Sequence, residues 1–375
     1  MAKVDGNHMR INLTSQTDDS YDIIFGEGLF PQIGEDLKNL KLGSRYAIIT
    51  DSNVGKLYSE DLRNALKDTN LNTDVFTFKA GEQSKNIGTC MEIMGEMSKS
   101  KYGRDSAILA LGGGVTGDMA GFMAAIFNRG IPYIQIPTTV LAQADSSIGG
   151  KTAVDTEYGK NLVGAFKQPE KVYIDVSTLK TLSDKDFRGG LAETIKHGVI
   201  QNHDFFYFLD LYYEEILDRL PNYMLDIAKK NCEIKGNVVE QDPHEKGIRR
   251  ILNYGHTAGH AIEKLSGYKL THGEAVAIGM MVAGRIANSL GYLDSTSLGA
   301  QQRVLENAGL PTDIPRGISD EAIIEVTSMD KKAKDGKARY VLPSGLGEMK
   351  DFDGAYATYV DNNIVMSALK ATRYK

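Results

Sequence analysis

The sequence predicts a parallel α/β half up to about residue 180, followed by a mostly helical half. Three observations carry this. Short apolar runs alternate with helical stretches through the first half. A glycine-rich turn directly follows one of those runs. After about Thr181 the strand signals give way to long helical patterns, as at 225–239 and 273–290. Short buried strands separated by helices are the pattern of a parallel sheet flanked by helices.

The apolar runs come in order. Residues 46–50 (YAIIT) end in the polar turn Asp51-Ser52-Asn53. Residues 75–78 lead into Ala80-Gly81-Glu82, and residues 107–111 into three consecutive glycines. Residues 133–136 and 172–174 have the same character, each bounded by turn-forming or polar residues. In the second half, Ser183-Asp184-Lys185-Asp186 fits a capping box that opens a helix. Residues 338–342 predict one late strand. No internal repeat or low-complexity segment interrupts the chain.

Composition bounds the function classes. The chain has 375 residues, a net charge of -6 and 25% charged residues. That length allows two domains with ample core. The acidic balance argues against a general nucleic-acid binder, so any anion site must be a local cluster of cations. Cys90 and Cys232 form no CxxC pair, and buried free thiols suit a reducing cytoplasm. The first ten residues lack the apolar core of a signal peptide, and no apolar run is long enough to span a bilayer.

The turn Gly112-Gly113-Gly114-Val115-Thr116-Gly117-Asp118 matches G-x-G-x-x-G through Gly112, Gly114 and Gly117. Glycine lets the backbone approach a pyrophosphate, and the following helix N-terminus attracts the anion. A tight turn without ligand is the competing reading. Pro137-Thr138-Thr139 adds two hydroxyls after the next strand, where ligands of open α/β sheets bind.

His256 and His260 stand at i and i+4 and share one helix face, and His272 follows after a short loop. Glu193 and Lys196, at i and i+3, share another face. One carboxylate with two or three imidazoles suits Zn2+ or a similar ion with positions open for substrate. Three of the seven histidines fall within residues 256–272, which weighs against unrelated core or surface groups. Spacing alone leaves open which three groups bind. Lys151 and Lys160 follow glycines, and Lys196, Lys235, Arg249 and Arg250 add charge. Cations beside glycine turns in an acidic chain point to an anionic substrate. Gly149-Gly150-Lys151-Thr152 is no Walker A loop, because the upstream glycine is missing.

The stretches GGGVTGDMAGF (112–122), RGIPYIQIPTTVLAQADSSIGGKTAV (129–154), GKNLVGAF (159–166), LAETIKHG (191–198), LNYGHTAGHAIE (252–263) and HGEAVAIGM (272–280) carry a family resemblance. With Asp51-Ser52-Asn53 and Gly81-Glu82-Gln83-Ser84-Lys85, they resemble the 3-dehydroquinate synthases of the shikimate pathway. The resemblance implies a Rossmann-like NAD-binding domain over 1–180, a helical metal- and substrate-binding domain over 181–375, and a site in the cleft between them. It implies conversion of 3-deoxy-D-arabino-heptulosonate 7-phosphate to 3-dehydroquinate and phosphate. The steps would be transient oxidation, phosphate elimination, re-reduction and aldol ring closure.

The same resemblance assigns residues. NAD would contact Asp51, Asn53, Gly81, Glu82, Lys85, Gly113, Gly114, Val115, Thr116, Gly117, Asp118, Thr138, Thr139, Lys151, Lys160, Thr178, Thr181 and Leu182. One divalent ion per subunit, Zn2+ or Co2+, would sit on Glu193, His256 and His272. Lys196, Asp145, Lys151, Asn161, His260 and Asn253 would be catalytic. Arg129, Lys235, Glu245, Arg249 and Lys331 or Lys332 would surround the sugar phosphate. Arg129 would reach in from a partner subunit, which implies a homodimer. Three positions depart from the family pattern: Asp155 where Asn is common, Ala258 between the histidines and His197 where Tyr is frequent. None removes a candidate catalytic group. The competing readings are a related sugar phosphate cyclase, an amino-substrate variant, a metal-dependent polyol dehydrogenase and a non-catalytic NAD- or metal-binding protein. Lys235 with Arg249 favours a carboxylate-bearing substrate, since a guanidinium fork matches that group.

Overall fold

In the computed structural model the described residues are 18–329 and 337–373, with the backbone of a short antiparallel pair, β1 (Val4–Asp5) and β2 (His8–Met9). The first half is built on six strands: β3 (Asp22–Gly26), β4 (Arg45–Asp51), β5 (Asn72–Phe78), β6 (Ser106–Gly112), β7 (Tyr133–Pro137) and β10 (Lys171–Asp175). They form one sheet in the order β3-β10-β7-β6-β4-β5, with every pairing parallel. Helices α1 (Phe30–Leu40), α2 (Glu60–Asp68), α3 (Ile87–Lys99) and α4 (Gly114–Ile126) cover its faces. Alternation within a strand feeds two cores. Tyr46 and Ile48 pack with α1 and α2, while Ala47 and Ile49 pack with α3 and α4.

From β4 the chain runs outward to β5 and then returns to β6 on the other side of β4. The strand order therefore reverses between β4 and β6, and the crevice at their carboxyl ends is where open α/β sheets bind ligands. Asp51, Gly112 and the turn after Pro137 all lie at that edge, in register across Thr50↔Leu111 and Gly112↔Pro137.

The five predicted runs are all strands, each longer at its ends by a residue or more. The β1–β2 pair, strand β3 and one further hairpin of this half were not predicted. Strand β3 is an edge strand whose residues are only half buried, so it lacks the apolar contrast of its neighbours. The antiparallel hairpin β8 (Lys151–Thr156) and β9 (Gly159–Phe166) lies outside the main sheet, and β9 is largely exposed. The glycine turn before Lys151, with Gly149 at φ 90° and Gly150 at φ 65°, leads into this hairpin, and Gly159 opens its second strand. Gly121 of α4 lets it dock: a Cβ there would lie 2.4 Å from Thr152 Cγ2.

The second half packs α5 (Asp184–Gln201), α6 (His203–Leu211), α7 (Tyr213–Leu217), α8 (Pro221–Gln241), α9 (His256–Leu265), α10 (His272–Ser289), α11 (Ser295–Asn307), α12 (Asp320–Ser328) and α13 (Asn362–Ala371) around one large core. Ser183 caps α5 by accepting from Asp186 N at 3.1 Å, as its pattern predicts. The late strand is shorter than expected: β11 (Arg339–Tyr340) pairs with β14 (Thr358–Tyr359), and β12 (Pro343–Gly345) with β13 (Glu348–Met349). Among the described residues no helix is long and apolar enough to cross a membrane.

Candidate active site

Strand β6 is buried along its whole length and runs into Gly113, the N-cap of α4, which has no side-chain cap. The first amide groups of α4 are therefore unclaimed by a side chain and face the crevice end of the sheet. The glycines also serve packing. A Cβ on Gly117 would lie 2.7 Å from Gln135 Oε1, and one on Gly112 2.4 Å from Thr116 Oγ1. Thr116 and Thr138 have buried hydroxyls with no hydrogen-bond partner. Thr139 Oγ1 instead accepts from Ala142 N at 3.1 Å.

Other candidates gather at this edge. Asp51 Oδ1 accepts from the amides of Asn53 and Val54 and so shapes its own turn. Buried Lys85 bridges Asp118 on α4, at 2.6 Å, and Asn161 on β9, also at 2.6 Å. Asn161 has φ 55°, a region asparagine tolerates, and its amide donates to Asp155 at 2.8 Å. Asp155 thus performs a hydrogen-bonding role in the hairpin. Thr178 donates to the Asp175 carbonyl, Thr181 pairs with Tyr58 at 2.5 Å, and Leu182 accepts from Arg219 through its carbonyl.

Glu193 sits fully buried in the middle of α5. Two close helix approaches bring the histidines to it. Gly273, next to His272, lies against Gly189 of α5, where a Cβ would come within 1.9 Å of the Gly189 carbonyl. Gly255, just before His256, has φ +79° and lies against α10, where a Cβ would meet Met280 Cγ at 2.6 Å. A capping box of Thr271 and Glu274 fixes the start of α10 at His272. As a result Nε2 of His256 and Nε2 of His272 each lie 3.5 Å from the same oxygen, Glu193 Oε1. One ligand atom from each of the three residues falls within 4.8 Å of the others.

The donor set fits a divalent ion. Neither Glu193 oxygen has a hydrogen-bond partner, although the Lys196 ammonium lies against Oε2. Burial would raise the Glu193 carboxyl, but Lys196 and then the two histidines outweigh it and hold it well below the usual range. Burial pushes His256 down to about 3, leaving a neutral imidazole. Burial also lowers His272, but the neighbouring carboxylates of Glu193 and Glu263 overcome it and raise it to about 9. An anionic carboxylate, a neutral His256 imidazole and a His272 ring that would release its proton on binding make a donor set for Zn2+ or a similar ion. His260 is exposed and its ring centroid stands 5.2 Å from that of His256.

Further cations pair with carboxylates and carbonyls. Lys235 is paired with Asp145 at 2.7 Å, and Lys151 with Glu245, which also accepts from Asn253 Nδ2 at 2.7 Å. Buried Arg249 donates to the carbonyls of Pro243, at 2.6 Å, and Gly149, at 3.2 Å. A side chain at Gly149, which has φ +90°, would collide with that guanidinium. Arg129 is exposed at the far end of α4. A helix of 13 residues spans about 20 Å, so Arg129 stands that far from the glycine turn of its own chain. Lys331 and Lys332 lie outside the described residues. Glu263 had no assigned role. Its spacing, seven residues after His256 and three after His260, placed it on the histidine face all the same.

The family model for the 3-dehydroquinate synthase N-terminal part matches residues 75–189, and that for the C-terminal part matches 190–333. The chain belongs to the 3-dehydroquinate synthase family. A 3-dehydroquinate synthase of Thermoanaerobacter sp. strain X514 is 46% identical over 332 residues, 88% of this chain and 93% of that protein. Solved structures of sugar phosphate cyclases share the synthase fold. A 2-deoxy-scyllo-inosose synthase with carbaglucose-6-phosphate, NAD+ and Co2+ superposes with a TM-score of 0.85 at 27% identity, covering 93% of this chain and 96% of that one. A 2-epi-5-epi-valiolone synthase of Streptomyces hygroscopicus subsp. jinggangensis, with NAD+ and Zn2+ bound, gives 0.86 at 26% identity, covering 96% and 99%. Family membership and fold therefore agree with the reading of the motifs.

Proposed function

We propose that this chain is a 3-dehydroquinate synthase, a carbon–oxygen lyase that turns 3-deoxy-D-arabino-heptulosonate 7-phosphate into 3-dehydroquinate and phosphate. The observation that carries the reading, beside family membership, is the convergence of Glu193, His256 and His272 next to the buried Lys196. NAD supplies a transient hydride acceptor, and a divalent ion held by those three residues supplies a Lewis acid.

The protein's own groups do the rest. Lys196, held beside the metal ligands, donates to the substrate hydroxyl that is oxidised and steadies its developing charge. Asp145 stays ionised, because Lys235 and Lys196 outweigh the effect of its burial. It orients Lys235 toward the substrate carboxylate, with Arg249 beside it. Lys151, Asn161, Asn253 and His260 hold the phosphate, joined by Arg129 from a partner subunit and by a lysine of Lys331 and Lys332. Glu245, paired with Lys151 and Asn253, lies among the residues around the substrate. The glycine turn and α4 take the pyrophosphate of NAD, with Asp51, Glu82, Lys85, Asp118 and Lys160 around the nucleotide. In this reading residues 1–180 form the nucleotide domain and 181–375 the metal and substrate domain. The active form is a cytoplasmic homodimer.

The Lys235/Arg249 pair separates this reading from cyclases of sugars that lack a carboxylate. The test mixes the protein with the heptulosonate phosphate, Zn2+ or Co2+ and NAD+ far below substrate. Equimolar phosphate and dehydroquinate over many turnovers per NAD+ are expected. Phosphate without dehydroquinate, or a stoichiometric need for NAD+, would overturn the proposal.

A further inference from the structure

Glu263 is a buried carboxylate that the chemistry above does not use. It lies on α9, on the face that carries His256 and His260. Its Oε2 stands 3.5 Å from Nδ1 of His272. Its Oε1 accepts from Lys160 at 2.8 Å. Lys160 comes from β9, in the other half of the chain, and also lies 3.6 Å from Glu82 and 5.1 Å from the centre of the Tyr268 ring.

A histidine that gives Nε2 to a metal must carry its proton on Nδ1. An acceptor at Nδ1 selects that tautomer and sets the plane of the ring. The two histidines facing Glu193 solve this differently. His256 Nδ1 lies 3.0 Å from the Tyr254 carbonyl, a main-chain acceptor. His272 begins a helix, and its Nδ1 turns instead to the side chain of Glu263. A carboxylate buried at this point needs a counter-charge, and Lys160 supplies it from across the cleft.

We propose that Glu263 is a positioning residue for the metal centre: it holds His272 with Nε2 toward Glu193, and Lys160 holds Glu263 in place. The inference rests on Glu193, His256 and His272 being the metal ligands. The same side chains allow a rival arrangement, because His260, Glu263 and His272 also bring ligand atoms within 4.8 Å of one another.

The experiment uses full-length protein stripped of metal and titrated with Co2+ alone. Affinity is read by competition with a chromophoric chelator, and geometry by the visible absorption of bound Co2+. Glu263→Ala should weaken Co2+ roughly 10- to 100-fold and alter the spectrum, as loss of a supporting carboxylate does. Glu263→Gln keeps an oxygen for Nδ1 but loses the charge pair, so its affinity should fall between the two. It also serves as the test should the alanine variant fail to fold. Lys160→Ala should weaken Co2+ less than Glu263→Ala, and His260→Ala should leave it within about twofold. Wild-type affinity and spectrum in both Glu263 variants, with binding lost in Glu193→Ala, would sink this inference and leave the metal site standing. Equal losses in His260→Ala and Glu263→Ala would make Glu263 a ligand and overturn it. Undiminished binding in Glu193→Ala would instead remove the metal assignment itself.

Discussion

Lys235 Nζ lies 2.7 Å from Asp145 Oδ1 and also donates to the Asp145 main-chain carbonyl. The ion pair ties α8 to the turn after β7, so it crosses from one half of the chain to the other. Burial lowers the affinity of Lys235 for its proton, and Asp145 partly restores it. Such a pair adds little net stability, yet losing one partner strands the other charge.

Lys235→Met should therefore destabilise the protein by about 3 kcal/mol in denaturant melts. The double variant with Asp145→Leu should recover much of that loss. Turnover should fall in both, since the substrate carboxylate has lost its ammonium partner. Costs of Lys235→Met and Asp145→Leu that simply add in the double variant would show that the pair is not energetically coupled.

Metal should stabilise the fold through Glu193. An ion at a hundred times its dissociation constant adds about 2.7 kcal/mol. Chelation should lower the melting temperature of the wild type and leave that of Glu193→Gln unmoved. A chelator-sensitive Glu193→Gln protein would place the ion elsewhere.

His197 is buried beside Lys196, and its Nδ1 lies 2.9 Å from Asn231 Oδ1. Burial, then Lys196, push its imidazole from 6.5 down to about 4. Its folded pKa is depressed, so the contribution is complete above the unfolded value of 6.5 and is lost as pH falls through about 4. The full span is worth about 3 kcal/mol. His197→Gln should flatten the decline in stability between pH 6.5 and 4. An unchanged slope would assign that decline to other groups.

Arg129 lies about one helix length from the glycine turn of its own chain. In the proposed dimer, Arg129→Ala and Lys196→Ala homodimers should each be inactive. Mixed dimers should regain part of the wild-type rate, because one of their two sites is intact. No recovery in verified heterodimers would exclude a shared site.

Much of the fold was legible because the signals are local. The runs at 46–50 and 107–111 are buried on both faces, and a strand of that kind announces itself as unbroken apolar sequence. Strand β9 is mostly exposed and its residues are largely polar or small, so Lys160 and Asn161 carried no strand signal. The histidine pair on α9 was legible from its spacing, because i and i+4 share a face on any helix. Glu263 shares that face, but spacing could not show what it touches.

The sequence by itself determined the strand–turn–helix units, the glycine turn at a strand end and the set of residues able to bind a metal and an anion. Those properties depend on neighbours within a turn or two. Only the tertiary structure decided how the set is divided. Glycines at 189, 255 and 273 let helices approach closely enough to aim two imidazoles at one Glu193 oxygen. The docked hairpin then brings Lys160 to Glu263, 103 residues away. Contacts over such separations depend on how helices cross and where the hairpin docks, and no local periodicity encodes either.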